Sequence, residues 1–220
     1  MATYTGRQRV SAAFKKTFSD ADIKLDRIPA YPIIGAHNAQ LIGASIRQFL
    51  LDPKIFVKAQ VASAVYPLKV GLSFSEAPAS CSLISPKIYR EFIFPYHKQI
   101  ADHFKGKKVG TGLHICGYAD PIIEDMVNTG MTNLSIDAPS DLAGAIALTR
   151  GKAVLIGNID TNLFFSGTRQ DMERAIENCI ALAPDDSGYI LSSGCEVPGV
   201  APPEKVAWFM EIVNELCVKD

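Results

Sequence analysis

The chain has 220 residues, with 22 Lys and Arg against 23 Asp and Glu and 48% hydrophobic residues, which suits one large or two small globular domains with a real core. A net charge of −1 gives no electrostatic case for binding nucleic acid or an anionic membrane surface. Every long apolar stretch is broken by Gly, Pro or charge before about 18 residues, and the first nine residues lack the apolar core of a secretory signal, so the cytoplasm is the expected compartment.

Residues 5–18 mix apolar and basic positions at helical spacing and predict an N-terminal helix. Residues 27–35 predict a first strand, its prolines confined to the entry, and residues 38–64 are mostly helical. Residues 70–77 predict a second strand. Ser85-Pro86 then supplies an N-cap and a first-turn proline for an amphipathic helix to about His103. From there strand and helix alternate. Strands are expected at 109–116, 132–137, 153–160 and 188–195. The helices between and after them fall at 120–128, 141–149, 168–182 and 203–216, the third opened by a capping box of Thr168 and Asp171.

Strands separated by helices of this length imply a parallel sheet with right-handed crossovers. A doubly wound nucleotide fold would carry a glycine-rich turn after its first strand, and Ile34-Gly-Ala-His-Asn-Ala-Gln40 offers none. A (β/α) barrel instead gathers reactive side chains at the C-terminal ends of many strands. Those ends carry His37, Glu76, His114 and Cys116, Asp137, Asn158 and Asp160, and Cys195. The fold class is therefore α/β, a TIM-type barrel. It is expected to be incomplete, because six strands can be counted where a full barrel has about eight.

Five cysteines without an export signal favour metal binding or plain burial over a disulfide framework. His114-Ile-Cys116 puts imidazole and thiol two residues apart on one strand face, within reach of one ion. Cys195 ends another strand at the same rim. Three protein ligands with a fourth position open is the arrangement of a catalytic zinc. The competing reading makes His114, Cys116 and Cys195 buried core residues. Asp137, Asn158 and Asp160 are candidates for substrate positioning or outer support of a metal, with turn capping the alternative for Asn158 and Asp160. His97 and His103 are read as lying on a surface helix and Cys179 and Cys217 as core, while Cys81 stays ambiguous.

Four segments occur in order: Leu113-His-Ile-Cys-Gly117, Ser135-Ile-Asp137, Leu155-Ile-Gly-Asn-Ile-Asp160 and Ile190-Leu-Ser-Ser-Gly-Cys-Glu-Val-Pro198. With Ser80-Cys-Ser-Leu-Ile-Ser-Pro-Lys-Ile-Tyr-Arg-Glu-Phe92, Pro95-Tyr96 and Thr5-Gly-Arg-Gln-Arg9, the chain resembles the uroporphyrinogen decarboxylase superfamily, in its methylcobalamin:coenzyme M methyltransferase branch. The resemblance implies a zinc held by His114, Cys116 and Cys195. It also implies a methyl donor, methylcobalamin, on a partner corrinoid protein, and a small thiol such as coenzyme M as acceptor. Glu196, beside the third ligand, is a candidate for orienting His114. Porphyrinogen decarboxylation is the alternative chemistry. Against it, Cys195 stands where those enzymes carry histidine, and the stretch from Gly35 to Gln40 has no arginine to hold substrate carboxylates.

Relatives of this kind continue with two further β/α units after the segment matching residues 60–65, whereas here Tyr66-Pro-Leu-Lys69 leads directly into the next strand. The expectation is one barrel domain over residues 1–220, internally shortened near 65–70. A non-catalytic paralogue that binds zinc or corrinoid protein is therefore also open, as is association with a second copy through unpaired strand edges.

Overall fold

The computed structural model describes residue 45, residues 71–106, 110–184 and 186–217; the expected helix at 5–18, strand at 27–35, helices at 38–64, His37 and the 66–69 junction lie outside them. Within the described residues five strands form one sheet: β1 (Gly71–Ser75), β2 (Gly110–Ile115), β3 (Asn133–Ile136), β4 (Val154–Ile159) and β5 (Tyr189–Ser193). All four pairings are parallel and the spatial order is the chain order, β1-β2-β3-β4-β5. A doubly wound sheet reverses its order at a switch point. A sheet that never reverses is the wall of a (β/α) barrel, and five strands are part of such a ring.

A continuous helical run, α1, is made of Pro86–Ile88, a π-helical turn Tyr89–Ile93, and Phe94–Phe104. It is followed between the strands by α2 (Ile123–Asn128), α3 (Leu142–Thr149) and α4 (Arg169–Leu182), with α5 (Pro203–Cys217) closing the series. The Ser85 hydroxyl accepts from Ile88 N–H and Pro86 takes the first helical position. Pro95 has no N–H to give the turn before it, and the wide π turn falls there. The Asp141 carboxylate caps α3 through Ala143 and Gly144, and Thr168 and Asp171 form the expected capping box on α4.

Strand alternation divides the sheet into two faces. Leu113 and Ile115 of β2, Leu134 and Ile136 of β3, Leu155 and Ile159 of β4 and Tyr189 and Leu191 of β5 are buried in the main core. Met126, Ile146, Ile176, Phe209 and Ile212 of the helices share it. The other face carries a smaller apolar cluster of Val154, Ile156 and Ile190, and is otherwise small and polar. His97 differs from its sequence reading: it is buried, and its Nδ1 lies 3.2 Å from the Tyr89 hydroxyl. Tyr89, His97 and Ala101 follow at spacings of eight and four, which places them on the inward side of α1. Cys179 is buried as expected, while the side chain of Cys217 lies outside the described residues.

Candidate metal centre

Strand register builds the site in layers across the small, polar face. Ser75, His114, Ser135, Ile156 and Ile190 are successive partners along one layer from β1 to β5. One step toward the C-terminal ends, Cys116 follows β2, Asp137 follows β3, and Asn158 of β4 pairs in register with Ser192 of β5. Cys195 sits two residues past β5.

Three donor atoms converge there. His114 Nε2 is 3.1 Å from Cys116 Sγ, and Cys116 Sγ is 3.4 Å from Cys195 Sγ. All three ligand atoms lie within 4.8 Å of one another. The sulfur separation is far beyond a disulfide bond of about 2.05 Å. A tetrahedral ion with bonds of about 2.3 Å to sulfur and 2.0–2.1 Å to nitrogen asks for roughly 3.8 Å between sulfurs and 3.5 Å between nitrogen and sulfur. The two pairs that share Cys116 thus need to open by only a few tenths of an ångström, and His114 and Cys195 lie within 4.8 Å of each other, so the residues fit a zinc.

Electrostatics point the same way. Burial, the adjacent Cys195 thiol and the Asp137 carboxylate push the Cys116 thiol up to about 12, against a lowering contribution from the Ser75 hydroxyl hydrogen-bonded to it. A cation beside the Cys116 sulfur would oppose this rise and favour its thiolate. Burial holds His114 below its ordinary value, opposed by Asp137, so the imidazole stays neutral and keeps a lone pair for a metal.

The turns carrying the cysteines are locked from β3. Asp137 Oδ2 accepts from Gly117 N–H at 2.8 Å, and its Oδ1 accepts from Ala138 N–H at 2.7 Å. The Ser140 hydroxyl bridges Ala119 N–H and Gly117 carbonyl. Gly117 has a φ of +68°, and a Cβ there would meet the hydroxyls of Ser80 and Ser82 at 2.9 Å. On the other side Gly194 passes so close to β3 that a Cβ would lie 2.7 Å from Ala138 N and 2.8 Å from Asp137 Oδ1.

Asn158 Nδ2 donates to the carbonyls of Ser140 at 2.9 Å and Asp137 at 3.3 Å, tying β4 to the turn after β3. Asp160 caps the short turn Thr161–Phe164 through Asn162 N–H at 2.9 Å. Glu196 is exposed beside Cys195, and the second nitrogen of His114 pairs with Ser135 Oγ at 3.0 Å. Glu76 is half-buried beyond β1, its N–H bonded to the His114 carbonyl. Cys81 is half-buried in the loop before α1, where burial raises its thiol pKa and Arg90 opposes the rise. Sequence reasoning missed Ser75, Ser135 and Ser192. Their signal was strand alternation, since Ser135 stands two before Asp137 and therefore shares its face. Among the described residues the buried Ser192 hydroxyl is the side-chain polar atom left without a partner.

Residues 70–216, more than half of the chain, match the family model described as uroporphyrinogen decarboxylase (URO-D). The chain belongs to the uroporphyrinogen decarboxylase family. Among its relatives is the methylcobamide:CoM methyltransferase MtbA of Methanosarcina acetivorans, 30% identical over 141 residues, which are 64% of this chain and 40% of that protein. The uroporphyrinogen decarboxylase of Shewanella halifaxensis is 26% identical over 169 residues, 75% of this chain and 46% of that protein. The family thus reaches this chain through two chemistries, and the chain spans less than half the length of either relative. A solved methyltransferase from Methanosarcina mazei superposes with a TM-score of 0.59 over 94% of this chain and 64% of its own, at 19% identity, and so shares the fold.

Proposed function

We propose that this family member is a zinc-dependent methyltransferase, moving a methyl group from methylcobalamin on a partner corrinoid protein to a small thiol such as coenzyme M. The observation that carries the reading is the convergence of one imidazole and two thiols, from two strand ends 79 residues apart, on a space fit for one ion. His114, Cys116 and Cys195 are the ligands, and the fourth position is left for the substrate sulfur. A bound zinc supplies Lewis acidity that deprotonates a coordinated thiol at neutral pH. The two cysteine thiolates cancel the charge of the ion, so a substrate thiolate keeps its nucleophilic electron density. The acceptor needs no side-chain general base once its proton is lost to solvent.

Asp137 and Asn158 are proposed to position the substrate from the same strand ends, each with acceptor capacity left after its bonds to the backbone. Asp160 contributes to the rim through the turn it caps. The same reading takes residues 1–220 as one barrel domain shortened near residues 65–70. Among the described residues no helix is long and apolar enough to cross a membrane. The donor set supports this reading over decarboxylation, because two thiols around an imidazole suit a metal–thiolate reaction.

Metal analysis of the protein and of Cys195→Ser, with methylcobalamin and candidate thiols followed by the visible spectrum of the cobalamin, tests it. The expected result is about one zinc per chain, much less in the variant. The spectrum should change only when protein, metal and thiol are all present. Zinc unchanged in Cys195→Ser removes Cys195 from the site. Stoichiometric zinc with no methyl transfer favours a chain that binds metal without turnover.

A further inference from the structure

The layer that carries His114 has a serine on each side of it, and the two serines face different ligands. Ser75 of β1 and Ser135 of β3 are the strand partners of His114. The Ser75 hydroxyl lowers the Cys116 thiol pKa against the effect of burial, and Ser135 Oγ lies 3.0 Å from His114 Nδ1. His114 and Ser135 are 8% and 7% exposed, so no water competes readily for this bond. Both sit on a parallel ladder that fixes their Cα positions, which leaves side-chain rotation as the main freedom.

We infer that Ser135 is a positioning residue of the metal centre, holding the proton of His114 on Nδ1 and so fixing Nε2 as the nitrogen that faces the two cysteines. The inference rests on the zinc reading of those three residues. A neutral imidazole has one N–H and one lone pair, and only the nitrogen without the proton can bind a metal. Nε2 is the nitrogen 3.1 Å from Cys116 Sγ. For its lone pair to point at the donor cluster, Nδ1 must carry the proton and needs an acceptor. Ser135 supplies that acceptor, and its rotatable hydroxyl hydrogen can turn away.

The chemical type of the partner matters as well. Many metal-bound histidines are backed by a carboxylate, which strengthens the imidazole as a donor and adds negative charge. Two thiolates already neutralise a divalent ion here. A neutral hydroxyl fixes the tautomer without adding charge, so the site keeps its affinity for an anionic sulfur ligand. Asp137, the nearby carboxylate, is engaged instead by the Gly117 and Ala138 N–H groups.

The test compares the full chain with Ser135→Ala and Ser135→Thr by zinc competition titration and by NMR of 15N-labelled histidine in the zinc-loaded proteins. Melting of the metal-free forms serves as the folding control. Wild type is expected to show one histidine bound through Nε2 with Nδ1 protonated. Ser135→Ala should weaken zinc binding about 10–100-fold and lose the single tautomer. Ser135→Thr, which keeps a hydroxyl on a strand that accepts β-branching, should restore both. Wild-type affinity and an unchanged tautomer in Ser135→Ala overturn the inference while leaving the zinc reading intact. A wild-type protein that takes up no zinc overturns that reading, and this inference with it.

Discussion

Replacing Gly194 by alanine tests whether the close approach of two strand ends sets the position of Cys195. The new Cβ would start 2.7 Å from Ala138 N, 2.8 Å from Asp137 Oδ1 and 3.1 Å from Asp137 Cα. Two of these three atoms are backbone, so no flexible side chain can swing clear. Restoring an ordinary contact of roughly 3.4 Å requires the turn to move away by about 0.7 Å, in the manner of an overpacked core. The expected destabilisation is about 1–3 kcal/mol, which for a chain of this size lowers the melting temperature by about 2–12 °C. A movement of that size next to Cys195 exceeds the tolerance of about 0.2 Å in metal–ligand distances. Zinc affinity should therefore fall about 10–100-fold, as for loss of an outer support. Gly151→Ala is the control, because Gly151 has a φ of +70° and open space around it. That variant should cost about 1–2 kcal/mol of backbone strain and leave zinc affinity alone. Calorimetry of the metal-free proteins and competition with a chromophoric chelator give the two quantities. Gly194→Ala with wild-type zinc affinity would refute the argument that this contact seats the third ligand.

Zinc affinity should rise with pH between about 6.5 and 9 by roughly tenfold per unit for each thiol proton displaced. The sign follows from Cys116, whose thiol, pushed up to about 12, is protonated across that range and must release its proton to bind. His114, held below its ordinary value, adds no proton competition there. A flat profile in competition titrations would remove Cys116 from the ligand set. Phe209→Ala should destabilise the fold by about 3–5 kcal/mol, since Phe209 and Phe164 are fully buried with ring centroids 5.6 Å apart; denaturant titration checks it. Thr168→Ala removes the capping box of α4 and should cost about 0.5–2 kcal/mol without changing zinc affinity. Loss of metal binding in that variant would mean that α4 is coupled to the site.

The alternation of strand and helix from residue 71 onward was legible in the sequence because its causes are local. Apolar residues recur at period two in the strands. Ser85, Asp141 and Thr168 cap the helices that follow them, each by accepting from N–H groups two or three residues on. The strand ends were legible too, and with them the residue types that can bind a metal. What local pattern does not carry is which strand lies beside which, because register is settled by pairings across 20 to 40 residues of chain. Only the order β1-β2-β3-β4-β5 distinguishes a barrel wall from a doubly wound sheet. Only that order brings Cys195 to within 3.4 Å of Cys116. The same pairings decided which polar side chains were already engaged. Asp160 went to its own turn, Asp137 to the turn of Gly117, and the nitrogen of His114 away from Cys116 to Ser135. His97 was misjudged for a related reason: the spacing that puts it beside Tyr89 on α1 is visible in the sequence, but which side of that helix meets the sheet is decided by packing.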